Sequence, residues 1–273
     1  MKKVLFVCDG DNFPQGAFRF VKALRQEEPI FVKGVFYTPI DIEQLISVSY
    51  IPIAEPYVKL KEDERRLVSQ SVEKFKSHCD GSNIRYHIHN RDEAWDKALL
   101  SKESRFADLI VISEDLFCSN ADTDQPNFFM QEALHGAECP IVVVPETFKS
   151  VDRLAIAYDG KKECMFALKQ FGYLLPQFTD LPAEFVYAKN DETDAVPDRE
   201  LLTEYACWHF NNLATSKLHF EGKKYFSAWL EDKKNVMLVA GSYSRSAVSN
   251  LLNRSFVDHV IHDHACPVFI AHA

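Results

Sequence analysis

A chain of 273 residues, 47% of them apolar and 26% charged, has material for one large or two ordinary globular domains with buried cores. A formal net charge of -9 argues against a nucleic-acid or anionic-membrane partner, since phosphate binding needs clustered Lys and Arg. No apolar tract approaches a transmembrane length, and the Met1-Lys2-Lys3 start leads into a strand-like run, so a soluble, cytoplasmic protein is expected.

In chain order, Val4 to Cys8 is a continuous apolar run suited to a strand covered on both faces, ended by Asp9-Gly10-Asp11-Asn12. Gln15 to Arg25 has helical spacing at Ala17, Phe18, Phe20, Val21 and Leu24, and Phe31 to Tyr37 reads as the second strand. The stretch from Pro39 to Leu60 is an apolar insertion, expected to pack across a domain face or against the other half. Glu62 to Cys79 is an amphipathic helix, Ile84 to Ile88 a strand, Glu93 to Leu100 a helix, Leu109 to Ile112 a strand and Pro140 to Val144 the fifth strand. Pro145 to Ser150 is a short connector.

Beyond it, Leu154 to Tyr158 is a strand, Cys164 to Phe171 a helix, Phe185 to Ala188 a strand and Lys189 to Asp198 a polar loop. Glu200 to Leu213 is expected as a helix, Leu218 to Phe220 as a strand and Lys224 to Leu230 as a short helix. Val236 to Gly241 is a buried strand ending in the Gly/Ser turn Gly241-Ser242-Tyr243-Ser244-Arg245-Ser246, a helix follows, and Cys266-Pro267 leads into the last strand, Val268 to Ile270. Strands alternating with helices at this pitch mean a parallel, doubly wound sheet.

The chain repeats itself once. Val4 to Gly10 answers Leu154 to Gly160, both ending in Asp-Gly; Asp108 to Ser113 answers Val236 to Gly241; and Cys139-Pro140-Ile141 answers Cys266-Pro267-Val268. This divides it into residues 1–149, carrying the insertion, and 150–273. The order of motifs resembles the universal stress proteins, which carry Gly-x2-Gly-x9-Gly-Ser/Thr after the fourth strand and a Cys-Pro-Val entry to the fifth. Gly241 and Ser255 hold the outer positions of that frame; Ser244 and Arg254 stand where two glycines belong.

The resemblance implies two tandem Rossmann-like domains, akin to the adenine nucleotide alpha hydrolase fold. Each would be a five-stranded parallel sheet of order 3-2-1-4-5, and the two would be joined as an intramolecular pseudo-dimer through antiparallel fifth strands. It further implies a stress-associated binding or signalling module, with ATP or another adenine nucleotide as the candidate ligand and an unidentified protein partner. The candidate site in the second half comprises Asp159, Gly241, Ser242, Ser244, Arg245, Arg254 and Ser255, with backbone N–H groups and hydroxyls receiving phosphate oxygens. Ser244 and Arg254 argue for weak or lost binding, because both place side chains where backbone would approach phosphate. In the first half Ser113-Glu114-Asp115 replaces the glycine turn, and its carboxylates would repel a polyphosphate.

Other chemistries are expected to be absent. The seven cysteines form no CxxC pair and read as reduced thiols. Asp258, His259, His262, His264 and Cys266 span an element boundary and do not read as a zinc site, nor do Glu114, Asp115, Asp122 and Asp124 as a divalent-cation site. His87, His89 and His219 read as ordinary strand histidines, and no Gly-x-Ser-x-Gly elbow supports a serine hydrolase. An enzyme acting on a nucleotide or activated acid at the Gly241 turn is the alternative; no general base is placed beside that turn, so a binding module is preferred.

Overall fold

The computed structural model describes residues 1–9, 13–38, 54–94, 97–115, 128–187, 196–217, 229–230, 233–241 and 266–272. In the first half β1 (Lys2–Asp9) is the central strand. Val4, Phe6 and Cys8 enter one core and Leu5 and Val7 the other, as alternation along a strand requires. Helix α1 (Gln15–Glu27) buries Ala17, Phe18, Phe20, Val21 and Leu24, and β2 (Ile30–Thr38) follows.

Helix α2 (Ala54–Gly81) begins inside the expected insertion, with Pro56 in its first turn, where a missing N–H costs no intrahelical bond. The remainder of that insertion, 39–53, lies outside the described residues. Phe75 of α2 is fully buried, stacked on Phe6 at 5.6 Å and edge-on to Phe36 and Tyr86. Its loss to alanine would cost about 3–5 kcal/mol.

The half is completed by β3 (Arg85–Ala94), α3 (Lys97–Ser104), β4 (Leu109–Ser113), α4 (Phe128–Gly136) and β5 (Ile141–Val144). Strand β3 therefore runs past the expected end at Ile88 through the largely polar residues 89–94, into the start of the helix expected from Glu93. It is an edge strand, whose outer side needs no apolar pattern.

The second half contains β6 (Arg153–Ala157), α5 (Lys162–Leu174), a 3-10 turn at Pro176–Phe178, β7 (Pro182–Tyr187), α6 (Arg199–His209), β8 (Asn212–Lys217), β9 (Val236–Gly241) and β10 (Val268–Ala271). The third strand of this half is thus 212–217, beginning inside the helix expected to run to Leu213, while 218–220, where the strand was expected, lie outside the described residues. Helix α6 ends at His209 because Phe210 turns to extended backbone (φ -132), where its buried ring meets Phe185 edge-on at 6.5 Å. The side chains of Asn211 and Asn212 then bond to Asp180, fixing the strand entry.

Among the described residues the ten strands form one sheet of order β3-β2-β1-β4-β5-β10-β9-β6-β7-β8, so each half has the order 3-2-1-4-5. Every pairing is parallel except β5–β10, where Val268, Phe269 and Ile270 lie opposite Val143, Val142 and Ile141. The two apolar fifth strands cover each other, and neither is left as an open edge. Inside each half the registers agree: Val4 faces Leu109 as Leu154 faces Met237, and Ile110 faces Ile141 as Leu238 faces Val268. The internal repeat is therefore a repeat of pairings as well as of sequence, and it makes Ser113 the counterpart of Gly241.

Each face carries one core that continues across the joint. On the face covered by α1, α2, α5 and α6, the rings of Phe148, Phe20, Phe178, Phe171 and Phe269 form a chain at centroid spacings of 5.3 to 6.5 Å. On the other face Leu100 of α3, Met130 and Leu134 of α4, and Leu230 pack over the alternate strand residues. Among the described residues no helix is long and apolar enough to cross a membrane.

Candidate functional site

In a sheet of this order the crossovers leave β1 in opposite directions toward β2 and β4, opening a crevice at the carboxyl ends of β1 and β4, and likewise between β6 and β9. Asp159 lies just past β6, and its Oδ1 accepts the backbone N–H of Lys161 at 3.0 Å, with Lys161 Nζ 3.3 Å from Oδ2. Gly160 has φ +78, and a Cβ there would lie 2.9 Å from Cβ of Pro197, so this turn requires glycine twice over.

Pro197 is held over the turn by the buried Tyr158, whose hydroxyl donates to its carbonyl at 3.0 Å. Burial pushes the Tyr158 hydroxyl up, with Cys164, Asp198 and Asp159 adding to the shift. Burial likewise pushes the Cys164 thiol to about 11, and its Sγ donates to the Lys161 carbonyl at 2.8 Å. It is a packed thiol rather than a nucleophile.

Gly241 closes β9 against the first turn of α5. A Cβ on it would stand 2.5 Å from the Cys164 nitrogen and from the Glu163 carbonyl carbon. The glycine that the sequence assigns to phosphate approach is required by helix packing alone. Asp159 and Gly241 thus flank the crevice from β6 and β9, while Ser242, Ser244, Arg245, Arg254 and Ser255 lie outside the described residues.

The first-half crevice is built differently. Ser113 stands at the Gly241 position, and Ser113 Oγ bonds to Asp115 Oδ2 and accepts the Asp115 N–H, each at 3.3 Å. Glu114 is 3% exposed; its backbone N–H donates to the Val144 carbonyl and its Oε1 accepts the Glu146 N–H at 2.9 Å. Glu146 Oε2 in turn accepts the Gly16 N–H at 2.7 Å. Helix α1 has no side-chain cap at Pro14, so a carboxylate from the connector receives one of its unpaired N–H groups at the positive end of the dipole.

Gly16 permits this approach, since a Cβ on it would lie 2.1 Å from the Pro145 carbonyl oxygen. Arg19 fastens the same connector: its Nε donates to the Phe148 carbonyl at 2.7 Å and its guanidinium also bonds the Glu146 carbonyl. Glu146 was not identifiable from the sequence, where it sits in a short connector remote from α1.

His87 is exposed on β3, and His89 Nδ1 lies 2.9 Å from Glu103. His219, Asp122, Asp124, Asp258, His259, His262 and His264 lie outside the described residues, and among those described no grouping of three His, Cys, Asp or Glu could hold a metal ion. Cys8, Cys79, Cys164 and Cys266 are buried free thiols, Cys139 is half-buried and Cys207 is exposed. Desolvation lifts Cys79, Cys139 and Cys266 to about 12.

No protein-family model and no curated protein matches the sequence. Solved structures do. A universal stress protein from Archaeoglobus fulgidus superposes with a TM-score of 0.69 at 13% identity, over 99% of this chain and 96% of that one. A putative universal stress protein from Pseudomonas aeruginosa gives 0.54 at 11% identity, over 100% and 93%. A functionally unknown protein from the same species gives 0.53 at 11%, over 100% and 92%. Over its whole length the chain has the Rossmann-like fold of these universal stress proteins.

Proposed function

We propose that the protein is a stress-associated binding or signalling module of the universal stress protein type, in which the second half alone retains a crevice able to receive an anionic ligand such as ATP or another adenine nucleotide. One observation carries the reading: Glu114 and Glu146 supply carboxylates to the first-half crevice and to the α1 terminus beside it, whereas in the second half, beside Asp159 and Gly241, the sequence has Ser242 where the first has Glu114. A polyphosphate approaching the first half meets the carboxylates of Glu114 and Asp115; one approaching the second meets the Ser-rich turn that begins at Ser242, which carries Arg245 and no carboxylate. Ser244 and Arg254 place side chains where glycine would admit phosphate, so affinity is weak and hydrolysis is not part of the activity.

Calorimetric titration with ATP, ADP and AMP tests this, comparing the unaltered protein with the double variant Ser244→Gly/Arg254→Gly. The reading expects weak or undetectable heat for the first and tighter binding for the second. A double variant that binds no better, or tight binding by the unaltered protein that survives Asp159→Ala, contradicts it. Gly241→Glu is unsuited to this test, because it would break the α5 packing whatever the crevice holds.

A further inference from the structure

Two half-buried ion pairs occupy equivalent places in the two halves with their charges exchanged. In the first half Lys33 on β2 reaches Glu103 at the end of α3, with Nζ 2.6 and 2.5 Å from its two carboxylate oxygens, and His89 on the neighbouring β3 joins the same carboxylate. In the second half Glu184 on β7 bonds Lys233, and Ser216 on the neighbouring β8 donates to Glu184 Oε1 at 2.5 Å.

The registers make these positions equivalent. Leu5 faces Lys33 as Ala155 faces Glu184, and Val35 faces His89 as Val186 faces Ser216. The crossover partners are alike in spacing: Glu103 lies three residues after the buried Leu100, as Lys233 lies three after the buried Leu230, and both leucines lie in the same core. Each pair fastens the crossover before the fourth strand onto the second strand of its own half. The charged side chains are only 14% exposed in the first pair and 21% in the second, so unlike surface pairs they are poorly screened.

We infer that this reversed polarity is a device for pairing each crossover with its own half and rejecting the other. Two halves of one topology in tandem invite wrong-half docking between chains that fold together, a characteristic failure of repeat proteins. Docking the second crossover on the first half would set Lys233 against Lys33, and the converse would set Glu103 against Glu184. Like charges at these shielded positions discriminate against the wrong partner, while the correct pairing satisfies both members.

The full-length chain can be tested by giving both halves one polarity. The double variant Glu184→Lys/Lys233→Glu makes the second pair run in the same direction as the first, and Lys33→Glu/Glu103→Lys does the same from the other side. All four changes together restore opposite polarity, reversed. Each protein is unfolded in urea and refolded at increasing chain concentration, and the yield of monomer is measured by size-exclusion chromatography beside the urea midpoint of the recovered native protein.

The inference expects each double variant to lose monomer yield several-fold as concentration rises, and the fourfold variant to refold better than either. The midpoints separate this from simple weakening: Lys233 also lies over the Trp229 ring at 4.1 Å, so the second pair's reversal should lower the midpoint, and that loss should persist in the fourfold variant. Losses of yield that simply add in the fourfold variant, or yields that match the unaltered protein in both doubles, overturn the inference.

Discussion

The two crevices need a close helix approach, and each solves it with a glycine on the opposite partner. In the first half the glycine is on the helix, Gly16, which seats α1 against Pro145 and Glu146 at the end of β5. In the second it is on the strand, Gly241, which seats α5 at the end of β9. The first arrangement brings a connector carboxylate onto the helix N–H, so the end that would attract an anion already has one. The second leaves packing satisfied by backbone contact, and the carboxylates at its helix terminus are local ones, Asp159 on the Lys161 N–H and Glu163 in the first turn of α5. A glycine at a crevice is thus not by itself evidence of a ligand; the placement of carboxylates separates the halves.

The comparison breaks most severely at the two glycines. Gly16→Ala and Gly241→Ala should each cost about 1–3 kcal/mol or more, because the added Cβ meets backbone that cannot turn away, and Gly16→Ala should be the worse at 2.1 Å against 2.5 Å. Urea denaturation of both variants checks this; an unchanged midpoint in either would remove the packing role given to that residue. Next in size, Glu114→Ala should cost about 1–3 kcal/mol by leaving the Glu146 N–H without its acceptor. Glu114→Gln retains a carbonyl acceptor and should lose less, which a comparison of the two midpoints would show.

Acid should then weaken both halves through their ion pairs. Burial pushes the Glu103 carboxyl up, but the Lys33 hydrogen bond and charge, with His89 and Lys3, more than offset it and hold it below its ordinary value of 4.5. Glu184 is treated the same way by burial against Lys233, Ser216 and Arg153. A carboxylate depressed on folding contributes stability that is fully present above its unfolded pKa and lost as pH falls through the folded one. Stability should therefore decline as pH drops below 4.5, and the Glu103→Gln and Glu184→Gln variants should show a shallower decline in a pH series of urea midpoints. The smallest effect has the opposite sign: a Cβ at Gly172, inside α5, would meet nothing within 4 Å, so Gly172→Ala should gain about 0.5–1 kcal/mol.

Much of this architecture was readable from residue order. The continuous apolar runs at Val4 to Cys8 and Val236 to Ala240 mark strands buried on both faces, and the repeated Asp-Gly and Cys-Pro elements mark the duplication. Edge strands were the weak point, because β3 and β8 need apolar residues on fewer sides: β3 continues through largely polar residues, and Asn212-Leu213, which open β8, read as the end of a helix. At the crevices, the places of Asp159 after β6 and Gly241 at the end of β9 followed from pattern, and that of Glu114 from its contrast with that pattern. Glu146 and the hold of Tyr158 on Pro197 were not, because contacts between residues distant in sequence leave no local periodicity.

The most direct test of the account counts nucleotides. Native mass spectrometry of the full chain, with ATP added in excess, should show no more than one nucleotide per chain; in the Ser244→Gly/Arg254→Gly variant that single occupancy should rise, and adding Asp159→Ala should lower it. A second nucleotide on the chain, or occupancy that ignores Asp159 and changes instead with Glu114→Gln, would contradict the assignment of the ligand crevice to the second half.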